Sequence, residues 1–259
     1  MSGADLRAHL LAAPNDVAAH LVYADWLQSV GHPQGDLIAL AHAHLGVESR
    51  EVLIAEGQIL RRHWSRLLGD LSDPGGVDLT WRLGFIRSAR VFDDGDHLRA
   101  DNILQTLLHL DTALLIEHVT LERRDGQPAL DAAIAALMAS PPSLLHSVTL
   151  RPTRFPHRGN DLGDIRPLAA LPRLDTLELN GPLEHHVASA FHERDWRLRS
   201  LTLRSEDPDE DEPDDPRLSR MIHLLLALPS LVELRVQHLS QLAHEELCGL
   251  YPHLRIECI

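Results

Sequence analysis

The stretch that decides the fold is Leu171–Leu179, which reads L-P-R-L-D-T-L-E-L. Leu174, Leu177 and Leu179 form an L-x-x-L-x-L frame, and a segment of helical pattern ends just before it at Leu171-Pro172. The frame returns as I-E-H-V-T-L from Ile116, L-H-S-V-T-L from Leu145, L-R-S-L-T-L from Leu198 and L-V-E-L-R-V from Leu231. A degenerate copy, I-R-S-A-R-V, starts at Ile86. Successive frames begin 30, 29, 29, 24 and 33 residues apart, a mean of 29. Self-similarity at a fixed period of this length is the sequence signature of stacked repeats.

Alternate side chains of a strand face opposite ways. Leu177 and Leu179 therefore point inward, Thr176 and Glu178 point out, and Leu174 turns in at the corner where the strand begins. One coil cannot bury such a face alone, whereas a stack of coils builds a continuous core. With its frame repeated six times, this part of the chain resembles the leucine-rich-repeat family, and its spacing is nearest the longer, ribonuclease-inhibitor-like members. The resemblance implies an α/β solenoid over residues 77–259, a curved and mainly parallel sheet with outer helices. Many members carry an Asn three residues after the last frame leucine, whose amide satisfies loop backbone groups. Here those positions hold Arg124, Thr153, Pro182, Glu206 and Leu239, so irregular coils are expected after each strand.

Residues 1–71 read as a helical cap. Asp5–Ala13 is apolar at helical spacing and stops at Pro14. Asn15 or Asp16 offers an N-cap for Val17–Val30, with Leu21, Ala24 and Leu27 on the apolar face. Gly31-His32-Pro33-Gln34-Gly35 breaks the chain before a helix from Asp36 to about Leu45. A fourth helix is expected from Glu48 to Leu71, packing through Ile54, Ile59, Leu60, Trp64 and Leu67. The blocks Y-A-D-W-L, G-x-P-x-G and L-I-x-L between Tyr23 and Leu40 resemble a repeat-companion segment at the N-terminus of many bacterial repeat proteins. Gly84-Phe85-Ile86 matches the G-F that precedes that family's first repeat strand. The resemblance attaches no catalytic role. Tyr23 and Trp26 are expected to pack helices, and Asp25 and Asp36 to cap or pair.

Ser72-Asp73-Pro74-Gly75-Gly76 is the clearest boundary. An entering strand in Val77–Phe92 precedes alternating strands and helices. The helices are expected at His97–Leu110, Ala129–Met138, Ile165–Ala170, Val187–His192, Leu218–Leu228 and Leu242–Leu250, and L-R-I-E-C from Leu254 reads as a last edge strand. Glu206–Asp215 carries eight carboxylates in ten residues, more than half of the net charge of −14, and reads as a disordered loop. It lacks the Gly turn of a calcium loop.

Hydrophobic residues make up 44% of the chain, enough for a full core, and aromatics only 4%, so packing is aliphatic. All 24 cations are Arg. The acidic balance argues against nucleic acid as partner. The start of the chain lacks the basic and apolar regions of a signal peptide, and no apolar run approaches the ~18 residues that span a bilayer, so a cytoplasmic location without membrane contact is expected. Two cysteines, Cys248 and Cys258, are too few for a disulfide scaffold. The 18 histidines show no zinc spacing: His185 and His186 are adjacent, and His244-Glu245-Glu246-Leu247 lacks a second His. No C-x-x-C, G-x-S-x-G, Walker or dinucleotide motif occurs. No enzyme activity, metal or cofactor is expected.

What remains is surface. Outward strand positions should align into columns across a concave face, with Arg90, Phe92, His118, Thr120, Glu122, Arg151, Glu178, Asn180, Arg204 and Arg235 as partner-binding residues. Arg151 and Arg204 share a column with Asn180 between them, spaced to hold an acidic segment of a protein partner. Solvated Ser and Thr columns are the plainer reading of the same pattern. The expected function is non-catalytic protein binding, as adaptor or as stoichiometric inhibitor or regulator. Two alternatives stay open: an enzyme site at the seam between cap and repeats near Asp25, Trp26, Trp81 and Arg82, and metal or small-molecule sensing through histidines.

Overall fold

A computed structural model describes residues 2–46, 49–71, 74–93, 99–123, 130–151, 162–181, 185–204, 216–237 and 239–259. The acidic run 206–215, and four of the five positions that an asparagine ladder would use, lie outside them.

The N-terminal part is helical: α1 (Gly3–Ala12), α2 (Val17–Ser29), α3 (Gln34–Ala43), α4 (Arg50–Arg62) and α5 (Trp64–Leu68). Ser2 and Asp5 close a capping box on α1, and Asp16 caps α2 by accepting from the Ala18 amide at 2.9 Å. Gly31, at φ +68°, ends α2 in the left-handed region, where His32 N–H reaches back to Leu27 O. The apolar face of α2 includes Ala24 and Leu27 as expected but not Leu21. His20, Tyr23, Ala24 and Leu27 are buried and Leu21 is exposed, because a buried set at 20, 23, 24 and 27 leaves position 21 about 100° round the helix.

The single helix expected over 48–71 is two. His63, at φ −119° and ψ 22°, separates α4 from α5. No residue of α4 is fully buried and Ile54 is exposed, while Leu67 and Leu68 of α5 lie in the core. Ile59, Leu60 and Trp64 pack against that core while partly exposed.

The rest is an eight-stranded sheet in the order β1 to β8, each strand beside its neighbour in sequence. β1 (Val77–Arg82) and β2 (Phe85–Asp93) form an antiparallel hairpin, and β2 to β8 are all parallel. The later strands are β3 (His118–Arg123), β4 (Ser147–Arg151), β5 (Thr176–Asn180), β6 (Ser200–Arg204), β7 (Glu233–Val236) and β8 (Arg255–Cys258). Parallel neighbours need a crossover. Helices supply most of them: α6 (Ala100–Leu108), α7 (Asp131–Ala139), α8 (His185–His192), α9 (Pro216–Leu226) and α10 (Gln241–Leu250). Between β4 and β5 the expected helix is instead a 3₁₀ turn, Arg166–Ala170, with Pro167 in its first turn.

Burial alternates along β3, β4 and β7, while Asn180 of β5 and Thr202 of β6 are buried on the polar side. Val119, Leu121, Val148, Leu150, Leu177, Leu179, Leu201 and Leu234 are buried with Leu104, Ile134, Leu168, Phe191, Leu224 and Leu247 of the crossovers in one cluster. The first frame residues, Ile116, Leu145, Leu174, Leu198 and Leu231, are buried immediately before the strands. The protein is thus α/β, with one sheet face under helices and the other polar.

A second cluster joins Leu6, Leu10, Tyr23, Ala24, Leu27 and Ile38 of the helices to Phe85 of β2 and to Leu115 and Leu144, which precede β3 and β4. The sequence blocks around Tyr23–Leu40 therefore build a joint. Gly35 lies so close to α2 that a Cβ there would stand 2.8 Å from Ala24 O. Leu83 and Gly84 form the two-residue hairpin turn with φ of 54° and 75°. Gln34 Nε2 donates to Gly84 O at 3.2 Å.

A Cβ at Gly84 would meet Ile38 Cγ1 at 2.5 Å and Ile38 N at 2.8 Å, whereas one at Gly57, on α4, would meet nothing within 4 Å. Gly84→Ala should lower the stability measured by urea denaturation by about 2–3 kcal/mol, from backbone strain and the clash. Gly57→Ala should raise it by roughly 0.5–1 kcal/mol. Equal effects at the two positions would mean that α3 does not seat on the hairpin.

Candidate functional site

The polar face of the sheet is arranged in rows set by strand register. Ser88, His118, Ser147, Thr176, Ser200, Glu233 and Arg255 are paired across β2 to β8, as are Arg90, Thr120, Thr149, Glu178, Thr202, Arg235 and Glu257. A third row holds Phe92, Glu122 and Arg151, then Asn180 and Arg204. All ten residues expected to bind a partner fall in these rows.

Their side chains engage one another. Arg90 Nε donates to Glu122 Oε2 at 2.7 Å, and the Arg90 guanidinium stands 5.0 Å from the centre of the Phe92 ring. Arg151 and Arg204 converge on the same oxygen, Oε1 of Glu178, at 3.7 and 3.2 Å. With its amide oriented to satisfy both neighbours, Asn180 accepts from Arg151 Nε at 3.0 Å and donates to Glu178 Oε1 at 3.2 Å. Arg235 bridges Glu257 at 3.0 Å and Glu233 at 3.1 Å.

Strands ~4.8 Å apart put opposite charges within reach, directly across one row for Arg235 and Glu257 and diagonally between the second and third rows for Arg90 with Glu122 and for Glu178 with Arg151 and Arg204. Such half-exposed pairs add about 0–1 kcal/mol each, and their larger effect is to fix the side chains and cancel their charge. Phe92 is 5% exposed and Asn180 9%. These two support Arg90 and Glu178 from below rather than presenting surface. His118, Thr120, Glu122, Arg151, Glu178 and Arg235 are half-buried, and Arg204 is exposed.

Just before the strands runs a row that the sequence reading passed over. Glu117 N–H donates to Arg87 O at 2.9 Å, His146 N–H to Glu117 O at 3.1 Å, Asp175 N–H to His146 O at 3.0 Å and Arg199 N–H to Asp175 O at 2.7 Å. Their side chains form a chain of alternating character. Arg87 Nη1 donates to Glu117 Oε1 at 2.7 Å, the Arg87 side chain being only 6% exposed, and Arg87 Nη2 donates to Pro14 O at 3.2 Å. Ligand atoms of Glu117, His118 and His146 all lie within 4.8 Å of one another. The His118 and His146 rings meet edge to face at 4.6 Å, and His146 Nδ1 faces Asp175 Oδ1 at 3.6 Å.

Burial first, then the neighbouring His146, holds the His118 imidazole below its ordinary pKa, so it is neutral at pH 7. This cluster was missed because its members are 29 residues apart and no short window contains them. Superimposing the frames at Ile116 and Leu145 would have shown it: positions two and three of one frame lie beside position two of the next.

The seam between the helices and the sheet looks different. Asp25 is exposed, and Trp26 stacks on Tyr23 at 5.7 Å within the second cluster. Trp81 packs against the main cluster instead. Asp36 accepts from Gln28 Nε2 at 2.9 Å. Near the end of the sheet, Cys248 Sγ lies 3.6 Å from His244 Nε2, a nitrogen that also faces Ile256 O at 3.3 Å. Both cysteines are free thiols. Among the described residues no helix is long and apolar enough to cross a membrane. Compared with family models, curated proteins and solved structures, the chain matches none.

His20 is fully buried beside Phe85 and His42, with Nε2 2.9 Å from Pro14 O. Burial pushes the imidazoles of His20, His32 and His42 below their ordinary value of 6.5. The unfolded chain then binds more protons than the folded one in this range, so stability is full above pH 6.5 and falls as the pH drops toward the folded values. Melting followed by circular dichroism should show the loss as the pH falls from about 6.5. His20→Gln, which can keep the bond to Pro14 O, should flatten that slope. An unchanged slope would remove His20 from the acid response.

Proposed function

We propose that residues 77–259 form a leucine-rich-repeat-type solenoid, closed at its first strands by the helical N-terminal region. We infer that the chain is a non-catalytic protein-binding module, an adaptor or a stoichiometric inhibitor or regulator of one partner. The observation that carries this reading is the unbroken register of the polar rows. Seven parallel strands at ~4.8 Å spacing hold these side chains on a platform about 30 Å wide. Their carboxylate–guanidinium clamps fix them before any partner arrives, which lowers the ordering cost of association. The module belongs in the cytoplasm, where two free thiols stay reduced.

The centre of the platform is the Arg151–Glu178–Arg204 clamp with Asn180 beneath it. An acidic segment of a partner protein suits this centre, because it finds two guanidinium groups sharing one carboxylate oxygen. Arg keeps further N–H donors for such a segment after pairing once.

The test uses a partner recovered by affinity purification from the native cell and the affinity then measured with purified proteins. Reversing Arg151 and Arg204 together to Glu should leave melting nearly unchanged and weaken binding at least ~30-fold, the lower end of what losing a desolvated charge pair costs. Glu178→Ala, which releases both guanidinium groups, should tighten binding to an acidic partner. Reversal of Arg61 and Arg62 on α4 is the control. Loss of binding in that control, with the double reversal neutral, would move the interface to the N-terminal helices.

A further inference from the structure

We propose that Glu117, His118 and His146 form a binding site for a divalent transition-metal ion of the Zn²⁺ class, with a coordination position left open to solvent. The proposal is independent of whether the polar face binds a protein.

Two imidazole nitrogens and one carboxylate oxygen are a donor set that Zn²⁺ favours, and three protein ligands leave a fourth tetrahedral position for water or an incoming group. Donors around Zn²⁺ at ~2.0–2.1 Å stand roughly 3.4 Å from one another. A spread of up to 4.8 Å among the three side chains therefore closes by rotation of side chains, with the strands in place. The ligands sit on rigid backbone. Glu117 and His146 are tied to each other by the His146 N–H to Glu117 O bond, and His118 opens β3 in register with Ser147.

The surroundings are those of a metal site. Asp175 Oδ1, which accepts from the Thr176 hydroxyl at 2.9 Å, stands 3.6 Å from Nδ1 of His146, close enough to become its hydrogen-bonding carboxylate when the ring turns onto a metal. Arg87 holds one oxygen of Glu117 and leaves the other available. No hydrogen bond engages the His118 ring among the described residues; the His146 ring packs against it edge to face.

Zn²⁺ titrated into the full chain, in excess Mg²⁺ so that the carboxylates of 206–215 are occupied by a hard cation, should bind at one ion per chain by calorimetry. His118→Ala and His146→Ala should each weaken that binding by at least about 100-fold, and Asp175→Asn by about 10-fold. His109→Ala, which alters an exposed ring outside the cluster, should not change it. His118→Asn guards against misfolding of the alanine variant, and circular dichroism checks all of them.

A readout on the unaltered protein stands beside these. Bound Zn²⁺ should protect His118 and His146 from acylation by diethylpyrocarbonate, read by mass spectrometry. Absence of stoichiometric Zn²⁺ binding, undiminished binding by both alanine variants, or protection of other histidines in place of these two would overturn the proposal.

Discussion

A leucine buried on one strand needs an apolar residue at the same height on the next, and that demand sets the register of the whole sheet. A slip of one residue would turn Leu177 and Leu179 to solvent and bring Thr176 and Glu178 into the core. Each of these leucines is almost wholly buried, and truncating one to Ala costs about 2–5 kcal/mol in such a setting. No single polar pair on the opposite face approaches that value. The order of the polar rows is thus a by-product of apolar packing. Glu178 lies between Arg151 and Arg204 because Leu177 and Leu179 lie between Leu150 and Leu203.

The helical part depends on a different constraint, the close approach of backbones. Gly35 and Gly84 let α3 settle against α2 and against the β1–β2 turn, at separations where a methyl group has no room. Tyr23, Ile38 and Phe85 then close a cluster that also takes in Leu115 and Leu144. The helices are therefore bound to the start of three strands, β2 to β4, rather than to the edge of the first alone. Arg87 links the two regions electrostatically as well, through Pro14 on one side and Glu117 on the other.

Much of this was legible in the sequence, because strand period and frame spacing both report burial. The framed strands, their mainly parallel order and the composition of their polar rows follow from the L-x-x-L-x-L frames, and the entering and last edge strands from the alternation in Val77–Phe92 and after Leu254. What the sequence hid falls into two kinds. The break at His63 and the exposure of Leu21 depend on which way a helix faces, and apolar residues with the spacing of Ile54, Ile59 and Leu60 fit more than one orientation. The histidine–carboxylate cluster and the arginine clamps depend on neighbours one strand away. Glu117 and His146 carry no signal in any local window, and a motif search by short spacing is blind to them.

The strand order has a further consequence, for how the chain comes to be folded. Among the described residues every strand hydrogen-bonds only to its neighbours in sequence, so each new pairing closes one connection between consecutive strands and never spans the chain. The entropic cost of each closure stays that of about thirty residues. As the polypeptide leaves the ribosome, every strand from β3 onward finds its template already made. No strand has to wait for a distant segment with its edge bare, the condition in which parallel sheets are most prone to aggregate.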